Sequence, residues 1–393
     1  MLTTLAVENY RSLRSLVLPL HQLTLITGPN GSGKSSIYRS LRLLADAARN
    51  GAVAALAREG GLPSTLWAGP ETISRSVREG RHPVQGTVRT KPVALRLGFA
   101  GDEFGYAIDF GLPVPDPRSK FSLDPVIKRE SVWRGPLLRP ATLLADRVAA
   151  GVRTREDSGA WSAKTDQIRP TDSMLSEYAD PHRSPELLIM RERIRSWRFY
   201  DQFRTDAAAP ARTSRIGTRT PVLDHDGADL AAALQTIREN GDGEALDIAI
   251  DQAFPRSRAV IDERDGWFEL KFDQHGLLRP LSAAELSDGT LRYLLWVAAL
   301  LAVRPPELFV LNEPETSLHP ELLPALAALI STAARKTQVI VVSHAQPLIR
   351  SLTATAEELG EDVAAVELVK EFGETTISGQ GRFDQPSWHW PKR

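Results

Sequence analysis

Gly28-Pro29-Asn30-Gly31-Ser32-Gly33-Lys34-Ser35 satisfies G-x-x-x-x-G-K-[ST] at every constrained position. The residue types explain why such a loop binds phosphate. Glycines let backbone N–H groups close around phosphate oxygens. Lys34 would reach the β and γ phosphates, and the Ser35 hydroxyl would serve as a Mg²⁺ ligand. The helix that follows points the positive end of its dipole at the anion. Immediately upstream, Leu23–Thr27 reads as a strand; downstream, Ile37, Leu41, Leu44 and Ala48 recur at helical spacing over residues 34–48. Strand, glycine-rich turn and helix make one half of a phosphate-binding unit. Two further strands are expected ahead of it, at residues 2–8 and 13–18.

Helix and strand alternate again much later in the chain. A helix is expected over residues 288–303, stopping at Pro305-Pro306. Residues 308–311 and 338–342 are short continuous apolar runs, typical of strands buried on both faces, with a helix between them at 320–334. Strands at 363–369 and 375–378 finish the core. The stretch between the halves has a different character. Residues 84–111 read as an antiparallel meander, with strands at 92–99 and 104–110 around Gly101-Asp102. Residues 111–185 are proline-rich and read as loops around one strand near 126–133. An arginine-rich helix is expected over 186–200, two short helices over 226–254, and a hairpin around Asp265-Gly266. The expected architecture is therefore an α/β P-loop NTPase core split by an insertion. Residues 1–60 and 276–378 are its halves, residues 61–275 hold the β meander and a mixed helical and loop segment, and residues 379–393 form a tryptophan-containing tail. There are no repeats and no sustained heptads, so long coiled-coil arms are not expected.

Composition excludes several classes. The chain has 393 residues, with 48 basic and 49 acidic side chains and a formal net charge of −1, so no global basic field announces a nucleic-acid binder. It has no cysteine, which removes disulfides, thiolate zinc sites and cysteine nucleophiles. The N-terminus lacks the pattern of a signal peptide, and the longest apolar-leaning stretch, residues 291–303, is too short for a bilayer. A cytoplasmic protein with no membrane partner is expected.

Three later segments say which kind of phosphate-loop protein this is. Leu286-Ser287-Asp288-Gly289-Thr290 precedes a helix; alone it reads as an ordinary capped helix start. Leu308-Phe309-Val310-Leu311-Asn312-Glu313-Pro314-Glu315 is an apolar strand that ends in acidic and amide groups at the carboxyl edge of a sheet. Glu313 is the candidate general base for an attacking water. Val341-Val342-Ser343-His344 ends another buried strand, and His344 could touch the γ-phosphate or that water; a lone histidine there also suits a structural role.

Taken in order, these segments resemble the ABC-type ATPases, and among them the SMC/RecF/OLD-like branch. Glu8-Asn9-Tyr10-Arg11-Ser12, Asn312-Glu313-Pro314-Glu315-Thr316-Ser317-Leu318-His319-Pro320 and Ser287-Asp288-Gly289-Thr290-Leu291-Arg292-Tyr293 carry the likeness, which is strong over residues 1–60 and 275–350. Ser196-Trp197-Arg198-Phe199-Tyr200 adds to it less specifically. The resemblance implies roles. Gly28, Asn30, Gly31, Ser32, Gly33, Lys34, Ser35 and Ser36 would hold ATP, with Arg11 nearby. Ser35 and Asn312 would serve Mg²⁺. Glu313 and His344 would be catalytic. Ser287 and Gly289 would form a signature that contacts the γ-phosphate bound by the opposite subunit, which requires a head-to-tail homodimer sandwiching two ATP molecules. Residues 316–319 would lie at that dimer interface.

The chain departs from the pattern in three places. Asn312 stands where an aspartate is usual, offering a neutral carbonyl toward the Mg²⁺ water shell and implying weaker metal binding or slow turnover. Asp288 stands where glycine is common. No Q-loop glutamine is assigned; Gln85 is one candidate. For the target, two readings stay open. Nine arginines in residues 183–219 (Arg183, Arg191, Arg193, Arg195, Arg198, Arg204, Arg212, Arg215 and Arg219), with Trp197, Phe199 and Tyr200, suit a DNA clamp in repair or anti-phage defence. The same residues suit a solvated segment whose aromatics pack inward. The other reading is an ATP-dependent switch holding a neighbouring effector protein. A nuclease of the OLD type is not expected, because the 49 residues after His344 leave no room for a TOPRIM domain.

Overall fold

The computed structural model describes residues 1–49, 51–70, 92–156, 158–162, 166–182, 184–360, 363–381 and 383–392. The chain divides into two units: residues 1–21, 27–196 and 366–393 form one, residues 22–26 and 197–365 the other. The expected insertion, 61–275, is thus shared between them. Gln85 lies outside the described residues, as does Arg183.

In the first unit, alternating apolar residues build an antiparallel sheet. Among the described residues its strands are β1 (Leu2–Tyr10), β2 (Leu13–Pro19), β4 (Leu95–Gly101), β5 (Phe104–Gly111), β6 (Val126–Arg134), β7 (Leu143–Val148), β8 (Gly151–Thr154) and β9 (Asp166–Gln167), in the order β2-β1-β4-β5-β6-β7-β8-β9. The unit's helices are α1 (Lys34–Ala47), α2 (Ala52–Arg58), α3 (Leu62–Thr65), α4 (Met174–Glu177) and α5 (Pro185–Ser196), with a hairpin of β17 (Val363–Glu371) and β18 (Glu374–Ile377).

Residues 143–167 correct the expectation of loops. β7 carries Asp146 and Arg147 in mid-strand, which breaks the apolar alternation a strand is read from. Both are buried because both are paired. Arg147 meets Glu130 at 2.8 Å, each fully buried, and Glu130 also accepts from Tyr106 Oη at 2.8 Å and Met174 N at 2.8 Å. Burial and the neighbouring Glu130 charge push the Tyr106 hydroxyl well above its ordinary pKa. Asp146 pairs with Arg129 at 2.9 Å and Arg153 at 2.8 Å. The tail docks rather than trailing away: Trp388 packs edge-on against Trp133 at 5.6 Å and against Trp390 at 5.1 Å. Gly98 leaves the space for it, since a Cβ there would sit 2.6 Å from the Trp388 ring.

In the second unit, the apolar runs become parallel strands beside a short strand that replaces the end of the helix expected over 186–200, in the order β10 (Arg198–Tyr200), β15 (Leu308–Asn312), β16 (Gln338–Val342) and β3 (Leu23–Thr27). Tyr200 lies opposite Leu311, and Asn312 opposite Val342. The helices of this unit are α6 (Leu230–Asn240), α7 (Gly243–Ala253), α8 (Asp288–Leu300), α9 (Leu323–Ala334) and α10 (Gln346–Leu359). A small antiparallel sheet joins β12 (Arg258–Arg264) to β13 (Trp267–Asp273), with β11 (Arg215–Ile216) and β14 (Leu281–Ser282) also paired to β13. α8 is buried along almost its whole length; it places Trp296 in an aromatic cluster, 5.0 Å from Phe203 and 6.1 Å from Tyr200. Such apolar burial is the main stabilising term of a core like this one.

Candidate nucleotide site

The glycine loop belongs to the first unit. Gly28, Gly31 and Gly33 have φ of 140°, 79° and 109°, a region that costs a side chain dearly and glycine little. At two of them space is also closed. A Cβ on Gly28 would lie 2.4 Å from the Leu368 carbonyl oxygen, and one on Gly33 would lie 2.3 Å from Thr375 Oγ1. Thr375 is buried, and its hydroxyl lies 2.7 Å from the Ser32 carbonyl oxygen and 2.8 Å from Ser12 Oγ. β18 therefore braces the loop from a position 343 residues away in sequence. Thr375 is a residue that no local motif announces, whereas Ser12 closes the Glu8-to-Ser12 segment already singled out. Lys34 Nζ donates to the carbonyls of Gly28 at 2.6 Å and Pro29 at 3.0 Å, which curls its ammonium over the loop. Ser32 Oγ is buried with no hydrogen-bond partner among the described residues. Ser35 is exposed at the start of α1, where the first backbone N–H groups have no intrahelical acceptor. An orphaned hydroxyl, a cradle that side chains would fill, and a lysine lying over it fit a bound phosphate group.

Arg11 sits at φ 52° in the turn between β1 and β2. Its guanidinium donates to Glu59 at 2.7 Å, and Tyr10 Oη donates to the same carboxylate at 2.7 Å. Burial opposes the Arg11 charge, but the hydrogen bonds and charges around it outweigh burial and raise its pKa. Arg11 is thus committed to Glu59, while its neighbour Ser12 meets Thr375.

The second unit gathers the other candidate residues at the carboxyl ends of β15 and β16. Glu313 has φ 49°, and its N–H bonds the Val342 carbonyl at 2.8 Å. This strained turn sets its carboxylate beside His344, Nδ1 to Oε1 at 3.2 Å, with both side chains part-exposed. Glu315 is buried; its Oε1 accepts from Ser343 Oγ at 2.6 Å and lies 3.9 Å from His344 Nδ1, while its Oε2 has no partner among the described residues. Asn312 Nδ2 donates to Asp201 at 2.7 Å, leaving Asn312 Oδ1 buried and unpartnered. A part-exposed carboxylate beside an imidazole can accept a proton from water; the unmet acceptors can receive hydrogen bonds from water on a cation. Asp201 is a further residue that the sequence did not single out.

A family model described as "AAA domain, putative AbiEii toxin, Type IV TA system" matches residues 23–351. The chain belongs to this family. The expected resemblance to ABC-type ATPases of the SMC/RecF/OLD-like branch is borne out, as is the α/β P-loop fold carrying an antiparallel sheet. Among curated proteins, the chain is similar to an OLD nuclease of Thermus scotoductus (strain ATCC 700910 / SA-01), 50% identical over 44 residues. That stretch spans 11% of this chain and only 8% of the relative. Among solved structures, an SMC head domain from Thermotoga maritima is 14% identical, covering 96% of this chain and 97% of that one, with TM-score 0.48. An Smc head bound to the C-winged helix domain of ScpA is 12% identical, with coverage of 96% and 97% and TM-score 0.49.

In this AAA-domain protein, Ser287 is the N-cap of α8, its Oγ accepting from Thr290 N at 3.1 Å. Ser287 and Asp288 are exposed and Gly289 is half-buried. Two arginines hold this helix start. Arg292, buried, donates to Thr316 O at 2.8 Å and Phe203 O at 3.0 Å, tying α8 to the 316–319 turn. Arg212 donates to Leu286 O at 2.8 Å and Thr205 O at 2.8 Å and pairs with Asp288 at 2.7 Å. Arg212 is thus inward-facing. Elsewhere in the arginine-rich segment, Arg191 and Arg195 pair with Glu192, Arg193 with Glu103 at 2.6 Å, and Arg204 with Asp206; Arg215 and Arg219 are exposed. Trp197 and Tyr200 are buried, so the inward-packing alternative holds for these two and they present no face to a base. Among the described residues, no helix is long and apolar enough to cross a membrane.

Proposed function

We propose that this chain is a Mg²⁺-dependent ATPase of low turnover that works as an ATP-sandwich homodimer and acts on DNA in repair or anti-phage defence. The observation that carries the reading is the glycine loop, closed to side chains at Gly28 and Gly33 and holding the orphaned Ser32 hydroxyl. Gly28 to Ser36 would cradle the phosphates, with Lys34 turning from the loop carbonyls to the β and γ oxygens. Ser35 and Asn312 would serve Mg²⁺, which when bound neutralises phosphate charge. Glu313 takes the proton of the attacking water, and His344, its Nδ1 3.2 Å from Glu313 Oε1, stands beside that carboxylate. Ser287 and Gly289, at an exposed helix start, would complete the site of the opposite subunit.

A second reading has its own support. Most of the candidate DNA-binding arginines are spent on intramolecular ion pairs, and the family description names a toxin of a type IV toxin–antitoxin system. Both favour an ATP-dependent switch that controls an effector protein. Steady-state phosphate release from Mg-ATP, with and without linear duplex DNA, tests these readings, with Glu313→Gln as the blank. Turnover above the blank, stimulated by DNA, is expected. Turnover indifferent to DNA would move the reading to the effector switch. Wild type no faster than Glu313→Gln would overturn hydrolysis and leave nucleotide binding alone.

A further inference from the structure

At the end of β15 the acidic residue usual to this motif is Asn312. A neutral amide cannot supply the charge that a Mg²⁺ water shell favours. The neighbouring strand supplies it. β10 and β15 run parallel with Tyr200 opposite Leu311, so the next residues, Asp201 and Asn312, emerge side by side at the carboxyl edge. They are joined by Asn312 Nδ2 donating to Asp201 Oδ1 at 2.7 Å. A carboxylate only accepts, so this contact fixes which end of the amide faces Asp201 and turns Oδ1 the other way. That oxygen is buried and has no donor among the described residues. Nor has Oε2 of Glu315, a residue 8% exposed whose other oxygen is bound to Ser343 Oγ at 2.6 Å. Buried acceptors without donors are costly and rare. Two of them on residues at the end of one strand call for donors from outside the protein, and cation-bound waters are donors.

We propose that Asp201 and Asn312 together replace the single strand-end carboxylate: Asp201 provides the negative charge and locks the amide, and Asn312 Oδ1 accepts from a water of the bound Mg²⁺. This rests on the ATPase reading above and names its metal-positioning residue. Asp201 is exposed, so it carries its charge without the burial cost that Glu130 meets.

The test is the gain in affinity for a fluorescent ATP analogue when Mg²⁺ replaces EDTA, measured on the full chain. Mn²⁺ binding followed by electron paramagnetic resonance in the presence of a non-hydrolysable ATP analogue provides a second readout. Asp201→Asn is expected to remove about tenfold or more of the Mg²⁺-dependent gain, as loss of an outer-shell partner does, and to leave affinity in EDTA unchanged. The exchange Asp201→Asn/Asn312→Asp keeps one charge and one hydrogen bond between the same two strands. It is expected to restore the gain to within about threefold of wild type, the tenfold loss being mostly recovered. An undiminished gain in Asp201→Asn would overturn the inference, as would equal loss with and without Mg²⁺. An exchange variant that fails to recover, or fails to fold, would assign the pair to structure and overturn it as well. If wild type bound no nucleotide in either condition, the ATPase reading itself would fall. If wild type and Asp201→Asn gained alike, only the present inference would.

Discussion

The glycine loop of the first unit and the strand ends of the second solve their chemistry with different materials. In the loop, the backbone does the work: N–H groups, positive φ at Gly28, Gly31 and Gly33, and carbonyls that park Lys34. At the strand ends, side chains do it: Glu313 with His344, Glu315 with Ser343, Asn312 with Asp201. A backbone site is written in consecutive residues, because each φ and each N–H belongs to the next position along the chain. A side-chain site is assembled across strands, so its members are scattered and any one of them can move to a neighbour.

This contrast makes its sharpest prediction on two single changes in the loop. Lys34→Ala removes the ammonium proposed to reach the phosphates and is expected to cost about 2–3 kcal/mol of ATP binding, roughly a hundredfold in affinity. Gly28→Ala removes no chemical group at all. It places a Cβ 2.4 Å from a backbone oxygen at φ 140°, and the backbone view expects it to weaken ATP binding as severely. Equilibrium binding of a fluorescent ATP analogue to both variants decides. Near-wild-type affinity in Gly28→Ala would break the comparison by showing the loop to be tolerant of its own backbone.

A smaller effect sharpens the same contrast, because one side chain does serve the loop. Thr375→Val keeps the shape of the side chain but removes the hydroxyl that meets Ser32 O and Ser12 Oγ. The loss is expected to be about 1–3 kcal/mol of stability, read by urea unfolding, with a weaker fall in ATP affinity than Gly28→Ala. Thr375→Ser retains the hydroxyl and should recover most of both. If Thr375→Val melted like wild type and bound ATP like wild type, the bracing hairpin would have no energetic role.

How far the sequence could be read follows from the same division. The loop, β3 and α1 were legible within a few residues, because glycine, lysine and helical periodicity lie side by side. The apolar strands β15 and β16 were legible because burial on both faces leaves no ambiguity of period. β7 was not, since Asp146 and Arg147 look like loop residues until Arg129, Arg153 and Glu130 are seen to neutralise them. Asp201 was not singled out, because only the register of β10 on β15 sets it beside Asn312. Trp197 and Tyr200 suited stacking on bases as well as inward packing, and only their burial decides between the two. Glu313 and His344 were each singled out by motif order, but neither their 3.2 Å approach nor the Ser343 contact that holds Glu315 was legible.

The smallest expected effect lies on the approach to α8, where side chains again do the work but in full contact with water. Glu285, two residues before Ser287, accepts from Arg279 at 2.6 Å and from Ser282 N at 2.9 Å. Those hydrogen bonds, Arg279's first, hold its carboxyl down at about 2, against an ordinary 4.5. The sign follows from the depressed value. Folding favours the charged form, so the contribution is fully present above the ordinary value and is lost as pH falls from about 4.5 toward 2. The pair is exposed and open to screening, so its size is modest and shrinks with salt. Melting temperatures of wild type and Glu285→Gln should differ slightly at pH 6, converge by pH 2, and converge at any pH in high salt. A gap that persisted unchanged into acid would mean that the contact is held by packing rather than charge. The strand-end chemistry of this unit would then depend less on ionised side chains than its contrast with the glycine loop requires.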